Sequence, residues 1–413
     1  MLALKYLIRY PLFLLFPVIY LIGKVKKYVL KSDSKKILII HFGGAGDILM
    51  CTPALRLLKR NYPSSEVRFI ASDRLAVDVL KRNQNIDEVI FFQQYKGGDI
   101  KNIFLDLTKS IDGKLKLYFC YPIFILENVL NRIDIGIAFG NFHEAGTFSN
   151  LLFDLLGIKK TIGCFGDYPE LLSKNIDKNL LKKHWTDIYV GIIDVLVGGV
   201  KEKEIDLSMS YEITNDEKEL IEKDMEKKGL YEPYSISIIH PGGSMQINSR
   251  LWGYEKFSEI ADHLYQKYNM SIFISGSKEE LQLANLVSEK MVSPSFVVAG
   301  EYTFPMVASL LQKAKVCITN DTSILHLADA MGTEKVISLW GPSNSKKSGP
   351  RSHRNIFIQS DLECSPCYFP IHANEELTRC DRLIKEECLK NISVYEVIDK
   401  IDNELTNIYY ENS

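Results

Sequence analysis

The chain has 413 residues, which is long enough for two domains of ordinary size. Hydrophobic residues make up 46% and charged residues 25% of the chain, the proportions of a globular protein. The formal net charge of −2 excludes the overall basic field of a nucleic-acid-binding protein, and eight cysteines are too few for a disulfide scaffold.

The first 34 residues form a hydrophobic and basic segment. An apolar run extends from Pro11 to Gly23, with lysine or arginine on both sides. It is shorter than the roughly 20 residues that a membrane-spanning helix needs, Pro17 interrupts it, and no cleavage motif of a signal peptide follows. We therefore expect residues 1–34 to anchor the protein on an anionic membrane surface. A transmembrane segment and a helix packed on the protein itself are the alternatives.

Strand-like and helix-like segments alternate over residues 35–205, which predicts βαβ units on a parallel sheet. The predicted strands are residues 35–42, 66–71, 88–92, 114–119 and 133–139, and the predicted helices are 47–60, 74–83 and 184–197. A charged stretch, residues 201–219, is expected to be weakly structured and to separate the two halves of the chain.

The same alternation restarts within residues 206–392, and a further helix is expected over 393–413. The predicted strands are residues 235–239, 271–275, 296–299, 315–319 and 335–340, and the predicted helices are 254–268, 278–291, 303–314 and 323–331. The pattern predicts an α/β protein of two doubly wound domains. Ligands bind such sheets at the carboxyl ends of the strands, so we expect a cleft between these ends of the two domains.

A glycine-rich turn, Gly43-Gly44-Ala45-Gly46-Asp47, joins the first predicted strand to the first helix. Glycines let the backbone approach a ligand closely, and a helix N-terminus offers N–H groups to an anion. The turn matches neither the dinucleotide-binding fingerprint nor the phosphate-binding loop that ends in Gly-Lys-Ser/Thr. From this turn alone, Asp47 is either a helix cap worth about 1 kcal/mol or a catalytic carboxylate.

Three further turns follow strands of the second half. The first combines glycine N–H groups, a hydroxyl and a nearby arginine, which suits a diphosphate. The other two place small polar residues where a strand ends. The turns are His240-Pro241-Gly242-Gly243-Ser244 with Arg250, Asn320-Asp321-Thr322-Ser323 with His326, and Trp340-Gly341-Pro342-Ser343. Ordinary strand-to-helix loops and helix caps are the alternatives for each turn by itself.

The ordered set of motifs resembles glycosyltransferase family 9, the heptosyltransferase family of lipopolysaccharide synthesis. The resemblance extends over roughly residues 35–392. The motifs that carry it are ILIIHFGGAGDILMCTPAL (37–55), HPGGS (240–244), RLW (250–252), NDTSILHLADAMG (320–332), LWGP (339–342) and CSPC (364–367).

The resemblance implies a GT-B fold, in which two facing Rossmann-like domains enclose a cleft and the C-terminal domain holds the nucleotide sugar. It also implies an inverting transfer that requires no cofactor. Asp47 then matches the general base, and Arg250 matches the positive charge beside the leaving diphosphate. The expected donor-binding residues are Gly43, Gly44, Gly46, His240, Gly242, Gly243, Ser244, Glu280, Asp321, Thr322, Ser323, His326 and Gly341.

The sequence departs from the family pattern at three of these motifs. His41 stands where the family usually has arginine, Arg250 where it usually has lysine, and Ser323 where glycine is common. The chemistry still agrees with the resemblance, because fixed positive groups stabilise the negative charge that develops on a leaving diphosphate. The sequence contains no Asp-x-Asp pair of the kind that holds a divalent metal in other sugar transferases.

The cysteines fall into two sets. Cys51, Cys120, Cys164 and Cys317 lie in apolar stretches and are expected to be buried thiols. The others follow the pattern Cys364-x2-Cys367-x12-Cys380-x7-Cys388. This spacing suits a tetrahedral structural zinc site. Reduced thiols and disulfides are the alternatives, and a reducing cytoplasm disfavours disulfides.

We therefore expect an inverting, metal-independent glycosyltransferase. It would move heptose or a related sugar from a nucleotide-diphosphate donor, such as ADP-heptose, to the lipopolysaccharide core or another lipid-linked saccharide. It would act in the cytoplasm, peripherally attached to the inner membrane. A nucleotide-sugar epimerase or hydrolase of the same fold and a catalytically inert ligand-binding subunit of a polysaccharide assembly are the alternatives.

Overall fold

The computed structural model describes residues 34–92, 133–140, 143–163, 172–176, 179–199, 205–243, 251–367, 380 and 387–411. The chain divides into two compact units after Asp206. The N-terminal segment before Ser34, the predicted strand 114–119, and the residues Ser244 and Arg250 lie outside the described residues.

The N-terminal domain is a parallel sheet with helices. Its described strands are β1 (Lys36–Ile40), β2 (Glu66–Ala71), β3 (Glu88–Phe91), β4 (Ile135–Ala138), β5 (Lys160–Gly163) and β6 (Lys174–Asn175). Its described helices are α1 (Ala45–Asn61), α2 (Arg74–Lys81), α3 (His143–Leu155) and α4 (Trp185–Val197). The strand order is β3-β2-β1-β4-β5-β6. This is the order of a Rossmann fold, with its switch point between β1 and β4.

The sequence of β1 explains its central position in this sheet. Ile37, Leu38, Ile39 and Ile40 are all fully buried, as expected for a parallel strand that is covered on both faces. The register pairs Ile40 with Ile70 of β2 and with Ala138 of β4. The carboxyl end of β1 therefore opens directly at the switch point.

Helix α1 follows β1 and contains a proline in its interior. Pro53 has no N–H to donate to the carbonyl of Leu49, one turn earlier. The hydroxyl of Thr52 donates to that carbonyl instead, at 2.7 Å. The Thr-Pro pair therefore satisfies the backbone group that proline alone would leave without its helical partner.

The C-terminal domain repeats this architecture. Its described strands are β7 (Ile236–His240), β8 (Ser271–Ile274), β9 (Ser295–Val297), β10 (Val316–Asn320), β11 (Lys335–Trp340) and β12 (Asn355–Gln359). Its described helices are α5 (Asn215–Lys227), α6 (Tyr254–Tyr268), α7 (Leu281–Lys290), α8 (Phe304–Lys313), α9 (Ser323–Met331), α10 (Ser345–Ser348), α11 (Glu387–Lys390) and α12 (Val394–Glu411). The parallel strands follow the order β12-β11-β10-β7-β8-β9, with the switch point between β7 and β10.

The stretch 201–219 is more ordered at its end than expected. Helix α5 begins at Asn215, because Thr214 and Glu217 form a reciprocal capping box. The backbone N–H of Thr214 donates to the Glu217 carboxylate at 2.8 Å, and the N–H of Glu217 donates to the Thr214 hydroxyl at 3.3 Å. A capping box satisfies two backbone donors and so fixes a helix start.

Helix α12 packs on the C-terminal domain through apolar residues and one polar cluster. Val397, Ile401 and Leu405 are buried in the hydrophobic core of this domain. Asp402 accepts a hydrogen bond from the Tyr268 hydroxyl at 2.7 Å and lies 2.8 Å from Nε2 of His263. Within the described part of the chain, no helix is long and apolar enough to cross a membrane.

Candidate active site

The predicted site residues that the structure describes form one group in each domain. In the N-terminal domain, the turn Gly43–Asp47 follows β1 at the switch point. In the C-terminal domain, the turns after β7 and β10 leave the sheet side by side, because His240 pairs with Thr319 in the register of these strands. Both groups therefore lie where a Rossmann-like sheet binds its ligand.

Asp47 occupies the third position of α1, and Gly44 is the N-cap. Asp47 is therefore not the N-cap residue, which was the alternative left open by the turn alone. Its carboxylate reaches back and accepts a hydrogen bond from the backbone N–H of Gly44, with 3.1 Å between N and Oδ2. Such a bond orients the carboxylate, and the positive end of the helix dipole favours its negative charge. Asp47 is half-buried, so a ligand can reach it.

Gly43 packs too closely to its neighbours for any side chain. A Cβ at this position would lie 2.5 Å from Oδ2 of Asp47 and 2.5 Å from Cε1 of His41. By contrast, a Cβ on Gly44 would meet nothing within 4 Å. Gly43 therefore serves close packing of the turn, while Gly44 offers an open surface.

His41 is fully buried and connects the turn to helix α4. The backbone N–H of Gly43 donates to its Nδ1 at 2.8 Å, and its Nε2 lies 3.0 Å from the hydroxyl of Tyr189. Because Nδ1 accepts, the ring proton sits on Nε2, which donates to Tyr189. Burial lowers the pKa of His41 to about 3, so the imidazole is neutral.

Cys51 lies one helical turn after Asp47 and is a buried free thiol. Burial raises its pKa, the negative charge of Asp47 adds to this rise, and a hydrogen bond with the Tyr189 side chain opposes it. A thiol that stays protonated is a poor nucleophile. Cys317 is also a buried free thiol, and burial raises its pKa to about 12. The expectation of buried thiols is confirmed for these two cysteines, while Cys120 and Cys164 lie outside the described residues.

Asn320, at the end of β10, joins the two turns of the C-terminal domain. Its side-chain amide donates to the carbonyl of Pro241 at 2.9 Å and to that of Gly242 at 3.0 Å. Asn320 is fully buried, so these bonds are shielded from water. The turn after β7 is therefore fixed to the turn after β10.

Glu280 binds the glycine turn through its carboxylate. Its Oε1 accepts from the N–H of Gly243 at 2.9 Å, and its Oε2 accepts from the N–H of Ser277 at 2.7 Å. A Cβ on Gly242 would lie 2.1 Å from Oε1, so a larger residue there would displace the Glu280 carboxylate. The structure therefore brings Glu280, Gly242 and Gly243 together, and the Gly243 amide bonds to Glu280. His240 is buried beside them, which lowers its pKa.

Helix α9 begins at the turn after β10. Thr322 is its N-cap, and its hydroxyl accepts from the N–H of Ile324 at 3.2 Å. Ser323 is the first helical residue and His326 lies one turn further on, where it is buried. The carboxylate of Asp321 accepts from the Ser343 hydroxyl at 2.5 Å, which fixes this turn to the one after β11.

A family model identifies the chain. Residues 148–376 match the model of glycosyltransferase family 9 (heptosyltransferase). The chain belongs to glycosyltransferase family 9. The resemblance recognised from its motifs is therefore confirmed.

The relatives of this glycosyltransferase agree with the family model. Lipopolysaccharide heptosyltransferase 3 of Escherichia coli (strain K12) is 24% identical over 305 residues, which cover 72% of this chain and 80% of the relative. The structure of the glycosyl transferase family 9 protein from Veillonella parvula has a TM-score of 0.70 at 21% identity, covering 92% of this chain and 99% of that one. E. coli ADP-heptose lipopolysaccharide heptosyltransferase II has a TM-score of 0.64 at 18% identity, with 91% and 99% covered. The predicted GT-B fold, with two Rossmann-like domains, is confirmed.

Gly341 of the glycosyltransferase packs against helix α11. A Cβ at this position would lie 2.8 Å from Cγ of Leu389 and 2.9 Å from Sγ of Cys388. Its carbonyl accepts from the side-chain amide of Gln359 at 3.0 Å and from the Ser365 hydroxyl at 2.6 Å. The observed contacts of Gly341 are therefore with other parts of its own domain.

The four C-terminal cysteines of the glycosyltransferase lie near one another. Cys388 is buried, Cys380 is half-buried, and Cys364 and Cys367 are exposed. Burial raises the pKa of the Cys388 thiol, and the other three cysteines raise it further. Among the described side chains, no group of three or more is arranged as ligands of one metal ion. The zinc site that the spacing suggests therefore stays a prediction, and no step of the reaction is derived from a metal there.

Two residues of the site have no motif that would have revealed them. Tyr189 lies in the apolar helix α4, where it reads as a core residue. Gln359 ends β12, a strand that the sequence did not predict, and its amide bonds to carbonyls of the turn after β11. The role of each residue is visible only from its contact with a distant segment of the chain, which a single sequence does not display.

Proposed function

We propose that the protein is an inverting glycosyltransferase that moves heptose or a related sugar from a nucleotide-diphosphate donor to a lipid-linked saccharide such as the lipopolysaccharide core. The observation that carries the proposal is the position of the Asp47 carboxylate. This carboxylate stands at the switch point of the N-terminal sheet and is oriented by the Gly44 N–H, in a chain of glycosyltransferase family 9. The relatives named for ADP-heptose and lipopolysaccharide support this donor and this acceptor.

In the proposed reaction, Asp47 is the general base. It takes the proton from an acceptor hydroxyl, whose oxygen attacks the anomeric carbon of the donor sugar. The bond between that carbon and the diphosphate breaks on the opposite face, which inverts the configuration. The bond from Gly44 holds the carboxylate in place before the acceptor arrives, so little reorganisation is needed during the transfer.

The C-terminal domain is proposed to hold the nucleotide sugar. The N-terminus of α9, with Thr322 and Ser323, offers backbone N–H groups and a positive dipole end to the diphosphate. Arg250 and Ser244 are proposed to complete this site. Asp321 is proposed to fix the turn through Ser343 rather than to contact phosphate, because a carboxylate repels a diphosphate.

No cofactor takes part in the proposed reaction. The leaving diphosphate is stabilised by Arg250 and the helix N-terminus, and the sequence offers no Asp-x-Asp pair for a divalent metal. Residues 1–34 are proposed to attach the enzyme peripherally to the cytoplasmic face of the inner membrane, because their apolar and basic residues suit an anionic surface and the acceptor is lipid-linked.

The variant Asp47→Asn tests the proposal, because it keeps the size of the side chain and removes the base. With ADP-heptose and a lipopolysaccharide-core acceptor, we expect kcat to fall by about 10²- to 10⁴-fold while the Kd for the donor, measured by calorimetry, stays unchanged. Wild-type turnover in this variant would remove Asp47 as the base. Sugar products formed from donor alone, at the full rate and without acceptor, would indicate an epimerase or a hydrolase instead.

Glu217→Gln is the matched control. Glu217 occupies the same third helical position in α5 and likewise accepts from the backbone N–H of its N-cap residue. Its loss of charge should leave kcat unchanged, because α5 has no part in the proposed site. A fall in kcat in both variants would point to a general effect of weakened helix caps.

A further inference from the structure

We propose that His41 is a positioning residue of the transfer reaction, which holds the glycine turn so that Asp47 stays aligned with the acceptor hydroxyl. This inference rests on the proposed function, since it takes Asp47 as the base. It concerns a residue that departs from the usual arginine of the resemblance and that touches neither reactant in the proposal.

The imidazole ring of His41 makes two hydrogen bonds. Nδ1 accepts from the N–H of Gly43 at 2.8 Å, and Nε2 donates to the hydroxyl of Tyr189 at 3.0 Å. Both ring nitrogens are therefore used, and both bonds are buried. A ring held at two ends in a water-free environment has one orientation, and so does the peptide of Gly43 that it binds.

Tyr189, which binds the ring of His41, is itself held rigidly in the core. Tyr189 is fully buried in α4, stacked on Trp185 with 6.1 Å between ring centroids and tilted against Phe139 at 5.4 Å. Helix α4 packs along α1, the helix that carries Asp47. His41 thus connects the glycine turn to a fixed point of the same domain.

Only Gly43 and Gly44 separate the ring of His41 from the carboxylate of Asp47 in the packing of the turn. Cε1 of His41 and Oδ2 of Asp47 are each 2.5 Å from the position that a Cβ of residue 43 would occupy. The ring and the carboxylate therefore both pack closely against Gly43. The next residue, Gly44, donates the bond that orients Asp47, at 3.1 Å. Any rotation of the ring shifts the peptide before Gly44, and with it the carboxylate.

The imidazole ring of His41 is neutral. Burial holds the pKa of His41 at about 3, so the ring itself carries no positive charge beside Asp47 at physiological pH. A cation here would favour the ionised carboxylate and make it a weaker base. His41 therefore fixes the position of Asp47 without lowering its capacity to take a proton.

Three variants separate positioning from mere stability. His41→Leu removes both bonds, His41→Asn places Oδ1 near the position of Nδ1 and keeps the bond to Gly43, and Tyr189→Phe removes the far anchor. For His41→Leu we expect kcat to fall by about 10- to 100-fold at an unchanged KM for the donor, the effect of a displacement of roughly 1 Å at a reacting group. His41→Asn should have a kcat close to that of the wild type. The kcat of Tyr189→Phe should lie between those of His41→Leu and His41→Asn.

The kcat values of these variants decide whether His41 positions Asp47. Wild-type kcat in His41→Leu, or no recovery in His41→Asn relative to His41→Leu, would overturn the inference. If His41→Leu fails to fold, Tyr189→Phe decides: a lowered kcat at unchanged KM supports positioning, and a wild-type kcat overturns it. His263→Leu is the structural control. It breaks a contact with Asp402 beneath α12 and should lower the melting temperature without lowering kcat.

The same experiments distinguish this inference from the function beneath it. An inactive Asp47→Asn variant together with a fully active His41→Leu variant would refute positioning and leave the proposed base in place. A fully active Asp47→Asn variant would refute the proposed base itself, whatever the His41 variants show.

Discussion

Gly43→Ala places one methyl group in the most crowded part of the N-terminal turn. Its Cβ would lie 2.5 Å from Oδ2 of Asp47, 2.5 Å from Cε1 of His41 and 2.7 Å from Cβ of Asp47. Non-bonded carbon atoms favour separations of about 3.5–4.0 Å, so these groups must move apart by roughly 1 Å. The carboxylate oxygens of Asp47 can rotate away. The buried ring of His41 and the Cβ of Asp47 cannot move without a shift of the backbone.

Two effects follow from that displacement. Forcing an extra methyl group into a packed site costs about 1–3 kcal/mol of stability. A carboxylate that is displaced by roughly 1 Å should lower kcat by about 10²-fold if Asp47 is the base. The affinity for the nucleotide sugar should not change, because the donor is proposed to bind the C-terminal domain; a weaker affinity would instead support the expected contact between Gly43 and the donor.

The assay compares Gly43→Ala with Gly44→Ala. A Cβ on Gly44 would meet nothing within 4 Å, so this control adds the same methyl group without a clash. Steady-state transfer gives kcat, calorimetry gives the donor Kd, and thermal unfolding reports stability. The reasoning is refuted if the two variants have equal kcat and equal melting temperature.

Three further predictions concern other contacts. Thr52→Val should lower the free energy of unfolding by about 1–3 kcal/mol in urea titrations, because the Leu49 carbonyl loses the hydroxyl donor. For His41, the pKa is about 3 in the folded state and near 6.5 when exposed. The free energy of unfolding should therefore fall by up to about 1.4 kcal/mol per pH unit as pH decreases from 6.5 towards 3, since only the unfolded state takes up the proton. Gly242→Ala, whose Cβ would lie 2.1 Å from Oε1 of Glu280, should weaken ADP binding by about 10-fold in calorimetry.

Each of these predictions has its own control. Thr52→Ser keeps the hydroxyl, so its free energy of unfolding should stay close to that of the wild type. A decrease as large as that of Thr52→Val would show that the effect comes from the methyl group. His41→Asn cannot titrate in this range, so its stability should depend less on pH than that of the wild type. Unchanged ADP binding in Gly242→Ala would show that the bond between Glu280 and the glycine turn does not shape the donor site.

The local signals of the sequence were sufficient for most of the fold. Helix α9 was predicted with the observed bounds 323–331, because Thr322 caps its start and Gly332 takes a left-handed conformation at its end. Strand β11 was also predicted as observed, from an apolar run between a helix and a glycine turn. The βαβ repetition predicts parallel strands, so the motifs could be placed at the carboxyl ends of strands, where the structure shows them.

The elements that were missed lack a local signal. Helix α3 contains the buried polar residues Thr147, Ser149 and Asn150, which obscure its apolar face. Strand β12 is only partly buried and follows a region rich in serine and lysine. Helix α7 was expected from residue 278 but begins at Leu281, because the turn before it brings Glu280 to the N–H of Ser277.

The same limit applies within the candidate site. Sequence motifs identified Asp47 and Glu280, but not what their carboxylates bond to. The partner of His41 lies 148 residues away in the chain, and that of the Gly243 amide lies 37 residues away. Hydrogen bonds between residues so far apart in the chain depend on how the helices pack on the sheet. The spacing of motifs in a single sequence does not reveal them.

The contact between Gly341 and helix α11 restricts how these two segments can evolve. No side chain fits between the backbone at residue 341 and the side chains of Cys388 and Leu389. A relative with alanine at the position of Gly341 would therefore need smaller side chains at the other two positions, or a helix that stands farther from the sheet. Across the family, these three positions should covary in volume. A glycine inside a predicted donor-site motif can thus be retained for the packing behind it.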